Sequence, residues 1–318
     1  VLLFADDAWS GGGNDYRRVS GEDRFESSMG LVGDSIEEAL PGGFDIQRLW
    51  LSTWTETPHL NPAGDPGSQV YSRTVDSVRT YFSSYLDRKL NEGCLFYSFQ
   101  GHGNRSTLTT EAAFASLIIY DDIDSLRTDR QHLFIGIGCH ISEFARASEL
   151  SRAIDGKNGD CLTEQLLFKP LAGAVGTYAS TGYEYLGENA IFCETLHEVL
   201  FAMVPTDSVP PEKEYTGAHW TFGEALVAAE TEHIVRRGAG AYEQVFRYLL
   251  LGDPMTKIDP GAPLMKLFAD WGSGFVETHP DSFRAAGGGN ASRLRFEASD
   301  VVALEGITLE IDGVDYTD

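Results

Sequence analysis

Basic residues are scarce in this 318-residue chain. Lys and Arg number 24 against 48 Asp and Glu, a formal charge of −24 at pH 7. Such a field repels phosphate, which argues against nucleic acid or an anionic membrane surface as partner. Cysteine is scarce too. Cys94, Cys139, Cys161 and Cys193 are too few to staple a chain this long, and their spacing fits neither a zinc ribbon nor a CxxC redox motif. No apolar run approaches the roughly 20 residues needed to cross a bilayer. Internal repeats and low-complexity tracts are absent, as are the charged n-region, apolar h-region and cleavage site of a signal peptide. Val1–Ala5 starts directly as an apolar strand, so the chain is expected to be excised from a longer one, with any targeting segment outside it.

What is present is ordinary for a packed protein: 42% apolar and 23% charged residues. Short apolar runs alternate with helical patterns. Strands are expected at Val1–Ala5, Ile46–Leu51, Cys94–Phe99, Leu133–Ile137, Ala172–Ala179 and Tyr248–Leu251. Helices are expected at Phe25–Leu40 (stopped by Pro41-Gly42-Gly43), Val70–Asn91, Ala190–Met203 and Phe222–Arg237, with a surface loop at Thr57–Ser68. Strands separated by helical segments of this length indicate crossover units, an α/β fold and a mostly parallel sheet with helices on both faces. After Pro260 the texture changes. Gly287–Asn290 reads as a hinge, and Arg293–Ala298 and Gly306–Ile311 read as alternating strands of a partial, Ig-like β-sandwich. The expected division is therefore a domain over 1–260 and a linker with partial β-sandwich over 261–318.

Open α/β sheets gather functional groups at the carboxyl ends of their strands. His102 lies between Gly101 and Gly103 after the third strand, and Cys139 follows the fourth. If those strands are neighbours, imidazole and thiol project from one sheet edge, as nucleophilic thiol catalysis requires. The two glycines permit backbone conformations closed to other residues and close approach of a substrate chain. The amides of Gly103 and Cys139 are then candidates to face a developing oxyanion. Other motifs carry less. Asp121-Asp122-Ile123-Asp124 lacks the Gly and Glu of an EF-hand loop and reads as a helix cap. His197-Glu198 lacks the second His of a zinc protease. No metal-ligand set is assigned.

Four ordered blocks, Phe96–Asn104 (FYSFQGHGN), Gly136–Phe144 (GIGCHISEF), Asp160–Thr181 and Tyr248–Ile258, resemble the gingipain family of bacterial cysteine peptidases. The opening Leu2–Asp7 is similar to the first strand of that family's caspase-like subdomain, and the resemblance covers about residues 1–260. It implies a caspase-like three-layer sandwich and a thiol endopeptidase with Cys139 as nucleophile and His102 as base. In the family an acid just after the first strand orients the histidine, and Asp6 falls nearest that position. A preference for a basic residue before the scissile bond would need a pocket acid, with Glu22 and Asp23 in a comparable stretch. Tyr183 and Tyr185 match the segment lining one pocket wall. The resemblance further implies protein or peptide substrates, no required cofactor, structural calcium as an option, a secreted or cell-surface location, and a preceding subdomain or propeptide outside this chain. Two other readings stay open: a transpeptidase like the type IX secretion sortase, and a non-enzymatic scaffold.

Overall fold

The computed structural model describes residues 1–10, 17–18, 20–39, 44–55, 59–60, 69–70, 75–117, 119–128, 130–144, 160–201, 221–258, 264–270, 275–278, 293–299, 310–311 and 314–315. The expected hinge at Gly287–Asn290 and most of the Thr57–Ser68 loop lie outside them. Contacts divide the chain into two compact units, Val1–Pro260 and Gly261–Asp318.

The first unit is built on β1 (Leu2–Ala5), α1 (Arg24–Ala39), β2 (Gln47–Trp50), β3 (Phe96–Gln100), β4 (His132–Ile137), α2 (Leu162–Phe168), β5 (Ala174–Ser180), α3 (Leu186–Leu200), α4 (Phe222–Arg237) and β6 (Tyr248–Gly252). Its six-stranded sheet has the order β6-β5-β4-β3-β1-β2. All neighbours are parallel except β6, which runs antiparallel to β5 at the edge.

Both faces of the sheet are covered, which is why its strands read as continuous apolar runs. Alternation sends Leu3 and Ala5 of β1, with Leu133, Ile135 and Ile137 of β4, to one core. There α1 contributes Phe25, Met29, Val32 and Ile36, an i, i+4, i+7, i+11 stripe, and α3 contributes Phe192 and Leu196. Leu2, Phe4, Phe99 and Phe134 face the opposite core, where Phe82, Leu86 and Leu166 lie. Phe4 sits 4.9 Å from the rings of both Phe82 and Phe99. Helix α4 starts with a capping box, Thr221 and Glu224 satisfying each other's backbone amides.

The expected long helix from Val70 begins later. Gln69–Val70 instead pairs with His59–Leu60. The helix then runs through Val75–Val78, a π-helical turn at Arg79–Ser83 and Ser84–Glu92. At that turn Arg79 reaches out to a bidentate pair with Asp122 at 2.5 Å. Asp121 accepts from the Asp124 amide at 2.9 Å, so this acidic run caps a short helix as expected.

In the second unit, Leu264–Asp270 lies antiparallel between Phe275–Thr278 and Arg293–Ser299, and Glu310–Ile311 pairs with Val314–Asp315. The Leu264–Asp270 and Phe275–Thr278 strands were not anticipated. One three-stranded sheet is described here, and the second sheet of the expected sandwich is not among the described residues.

Candidate active site

Strands β3 and β4 are hydrogen-bonded neighbours, with Gln100 paired to Ile137. His102 and Cys139 therefore leave the sheet at the same level, each two residues beyond that pair. The chain holds this geometry through tight packing. A Cβ on Gly138 would lie 2.5 Å from the Gly101 carbonyl oxygen, and one on Gly101 would lie 2.3 Å from Asp6 Cβ. A Cβ on Gly103 would meet Ile141 at 2.7 Å and the Cys139 carbonyl at 3.1 Å. Neither Gly101 nor Gly103 adopts positive φ, so space, rather than the conformational freedom expected from the sequence, requires glycine at both. The left-handed backbone falls instead on His140, with φ 56° directly after the cysteine.

The imidazole of His102 is one-third exposed, and its Nε2 lies 2.9 Å from Oε1 of Glu22, whose side chain is 9% exposed. Phe25, one turn into the same segment, presents its ring edge-on at 5.5 Å. Asp6 does not meet the ring through a hydrogen bond. Its Oδ2 accepts the main-chain N–H of His102 and its Oδ1 that of Asp7, both at 2.9 Å. The expectation for Asp6 is corrected accordingly: β1 ends directly beside β3, which puts Asp6 under the His102 backbone, whereas the turn into α1 brings Glu22 to the ring. Glu22 was expected in a specificity pocket and is at the histidine instead. Asp23 is exposed in the turn just before α1.

Cys139 is half-buried. Its Sγ accepts the Glu184 amide N–H at 3.3 Å. The same loop is laced to the turn after β4, since His140 N–H donates to the Gly182 carbonyl at 2.8 Å and Ser142 N–H to that of Ser180 at 2.7 Å. Ser180 Oγ donates to Glu184 Oε1 at 2.8 Å. Burial pushes the Cys139 thiol above its ordinary value, partly offset by the Glu184 amide and the Arg247 charge. Burial also pushes Glu184 up to about 7. Tyr183, 74% exposed, stands edge-on to His140 at 4.3 Å. Tyr185, 62% exposed, lies under the Arg247 guanidinium at 5.2 Å, and Arg247 also donates to the Tyr183 carbonyl. Both tyrosines thus stand beside the turn that carries Cys139. The N-termini of α1 and α3 close the rim, for a Cβ on Gly21 would touch Leu186 at 3.7 Å. Gly103 forms a non-hydrogen-bonded antiparallel pair with Leu108 in which the flanking bonds, Asn104 N–H to Thr107 and Thr109 N–H to His102, leave the Gly103 amide directed away from its partner strand.

Cys94, Cys161 and Cys193 are free thiols, and burial raises them to about 12, about 11 and beyond. Buried His197 is held by the Cys193 carbonyl and Ser98. Among the described residues no group of three His, Cys, Asp or Glu is arranged to hold a metal ion, and no helix is long and apolar enough to cross a membrane. Glu184 was missed by sequence reasoning because its contact with the thiol is made by the main chain, which leaves no side-chain signature.

The model of peptidase family C25 matches residues 1–259. The chain belongs to that family. Among solved structures it is similar to the Arg-specific cysteine proteinase gingipain R (RgpB), at 16% identity over 85% of this chain and 50% of that one, with TM-score 0.54. It is also similar to the complex of the pro- and mature domains of Porphyromonas gingivalis RgpB, at 15% identity over 85% and 51%, with TM-score 0.52. The chain spans about half the length of these structures. No curated protein sequence matches it. At such identities the likeness is one of fold, and the mostly parallel sheet between helical layers is the caspase-like architecture expected.

Proposed function

We propose that this C25 member is a cysteine endopeptidase whose nucleophile is Cys139 and whose base is His102. The observation that carries the reading is the Glu22–His102 contact at a strand end paired with that of Cys139. With the Glu22 carboxylate accepting Nε2–H, the imidazole keeps its lone pair on Nδ1 for the thiol. Because burial favours the neutral thiol, the proton moves to Nδ1 as sulfur attacks the substrate carbonyl carbon. The amides of Gly103 and Cys139 stabilise the oxyanion. His102 then returns the proton to the leaving amine, and a water deprotonated by the same nitrogen releases the acyl group from sulfur.

A basic side chain before the scissile bond is the preference we adopt, with Asp23 as its acid, since Glu22 is engaged at the ring. Tyr183 and Tyr185 would form a wall for the substrate chain. Family membership supports a secreted or cell-surface location, and the RgpB pro-domain complex supports restraint of this chain by a propeptide. Profiling on a peptide library tests the reading: Cys139-dependent cleavage after Arg or Lys is expected. Cleavage unchanged in Cys139→Ala overturns the activity. Transfer to an added amine in preference to water replaces hydrolysis with transpeptidation, and cleavage after apolar residues overturns the role of Asp23.

A further inference from the structure

His102 is gripped at four points by three different segments. Its ring is held by Glu22 and Phe25 at the start of α1. Its carbonyl accepts the Thr109 amide at 2.7 Å, and its own amide donates to Asp6 at the end of β1. The peptide before it is tied on both sides: Asp6 N–H donates to the Gln100 carbonyl at 3.0 Å, and Gly101 N–H to that of Ile137 at 3.1 Å. Asp6 is fully buried, and its side chain fills the space a Cβ on Gly101 would need.

We propose that Asp6 is a positioning residue, acting on the main chain of the catalytic histidine while Glu22 acts on its ring. The proposal rests on the peptidase reading for its effect on rate, though its geometry does not. A carboxyl that accepts the His102 amide proton on one oxygen and the Asp7 amide proton on the other ties the peptide plane from which the imidazole projects to the end of β1. Small rotations there would be amplified at Nδ1, where a misplacement of about 1 Å can cost roughly a hundredfold in rate. Burial, followed by the nearby Glu111 and Asp7, pushes the Asp6 carboxyl well above the ordinary carboxylate range, and Glu111 itself is raised to about 7. A neutral acid still accepts an amide N–H, so Asp6 can do this work without charge. An acid steering the imidazole electrostatically could not.

Two variants separate these roles. Asp6→Asn keeps one acceptor oxygen for the His102 amide, and Asp6→Ala keeps none. In the 318-residue chain, Asp6→Ala is expected to lower kcat at least a hundredfold and to speed hydrogen exchange of the His102 amide, read by NMR, at least tenfold. Asp6→Asn is expected to stay within tenfold of wild type in kcat, with slow exchange and an unshifted imidazole limb in the pH profile, whereas Glu22→Gln shifts that limb. Unchanged His102 exchange in Asp6→Ala overturns the proposal, as does a larger loss or a shifted limb in Asp6→Asn. Should Asp6→Ala fail to fold, Asp6→Asn alone decides by the same limits. Should wild type show no Cys139-dependent turnover, the peptidase reading fails, and the exchange measurement still decides whether Asp6 holds the His102 amide.

Discussion

The two halves of the candidate site are held in different ways. The histidine side depends on carboxyl groups, Glu22 at the ring and Asp6 at the backbone. The cysteine side depends on main-chain bonds, with the Glu184 amide on sulfur and the Gly182 and Ser180 carbonyls on the turn that follows. Side chains can be exchanged by a single mutation, whereas a main-chain lattice is buffered against one. His102 should therefore be the fragile half of the pair and Cys139 the robust half.

Removing the ring's partner should have the largest effect. Glu22→Gln supplies a poorer acceptor for the imidazolium that forms during attack, and a loss of about 10³–10⁴ in kcat is expected from the comparable position in the serine-protease triad. Steady-state kinetics with intact circular dichroism would check it, and a loss under tenfold would remove Glu22 from the mechanism.

Next comes pH. Glu111, buried and near Asp6 and Asp7, is raised from 4.5 to about 7. In the unfolded chain it ionises near its ordinary value, so between about 4.5 and 7 the folded state binds the extra proton. Its contribution to stability is complete below that window and lost as pH rises through it. The fall is about 3 kcal/mol, or several degrees in Tm. Glu111→Gln should flatten the Tm–pH curve across the window, and a curve as steep as wild type would contradict the assignment.

On the cysteine side, Ser180→Ala removes the hydroxyl that donates to Glu184 and accepts from the Gly182 amide. A loss of about 1 kcal/mol in stability is expected, with under tenfold change in kcat. A hundredfold loss would show that the loop is held by side chains after all. The mildest test is His140→Gly. Glycine adopts the positive φ freely, which offsets the lost contact with Tyr183, so stability should move by less than about 1 kcal/mol and kcat by less than threefold. A large loss would give His140 a chemical role.

The same contrast explains what the sequence made visible. His102 and Cys139 stand out because each ends an apolar run, and strand adjacency then fixes their level. Helices α1 and α4 match their apolar stripes to within a residue. Helix α3 begins four residues before the expected start, because Leu186–Asn189 carries no start signal beyond the loop itself. The helix read from Val70 does not include that residue because Val70 completes a β pair, a long-range choice that local periodicity does not encode. Glu22 was nominated for a pocket, and its carboxylate meets the His102 ring. It lies 80 residues from His102, in a turn whose path depends on how α1 docks against the sheet, whereas Asp6 was nominated through the resemblance, as the acid nearest the end of the first strand. The Glu184 amide is invisible to sequence because every residue but proline carries one.

The central claim is that His102 activates Cys139 for acyl transfer. A peptidyl chloromethyl ketone ending in Arg should add once per chain, at Cys139 by mass spectrometry, at a rate that rises with deprotonation of His102 and falls at least a hundredfold in His102→Ala. Labelling elsewhere, or labelling of Cys139 at the same rate in His102→Ala, would contradict it.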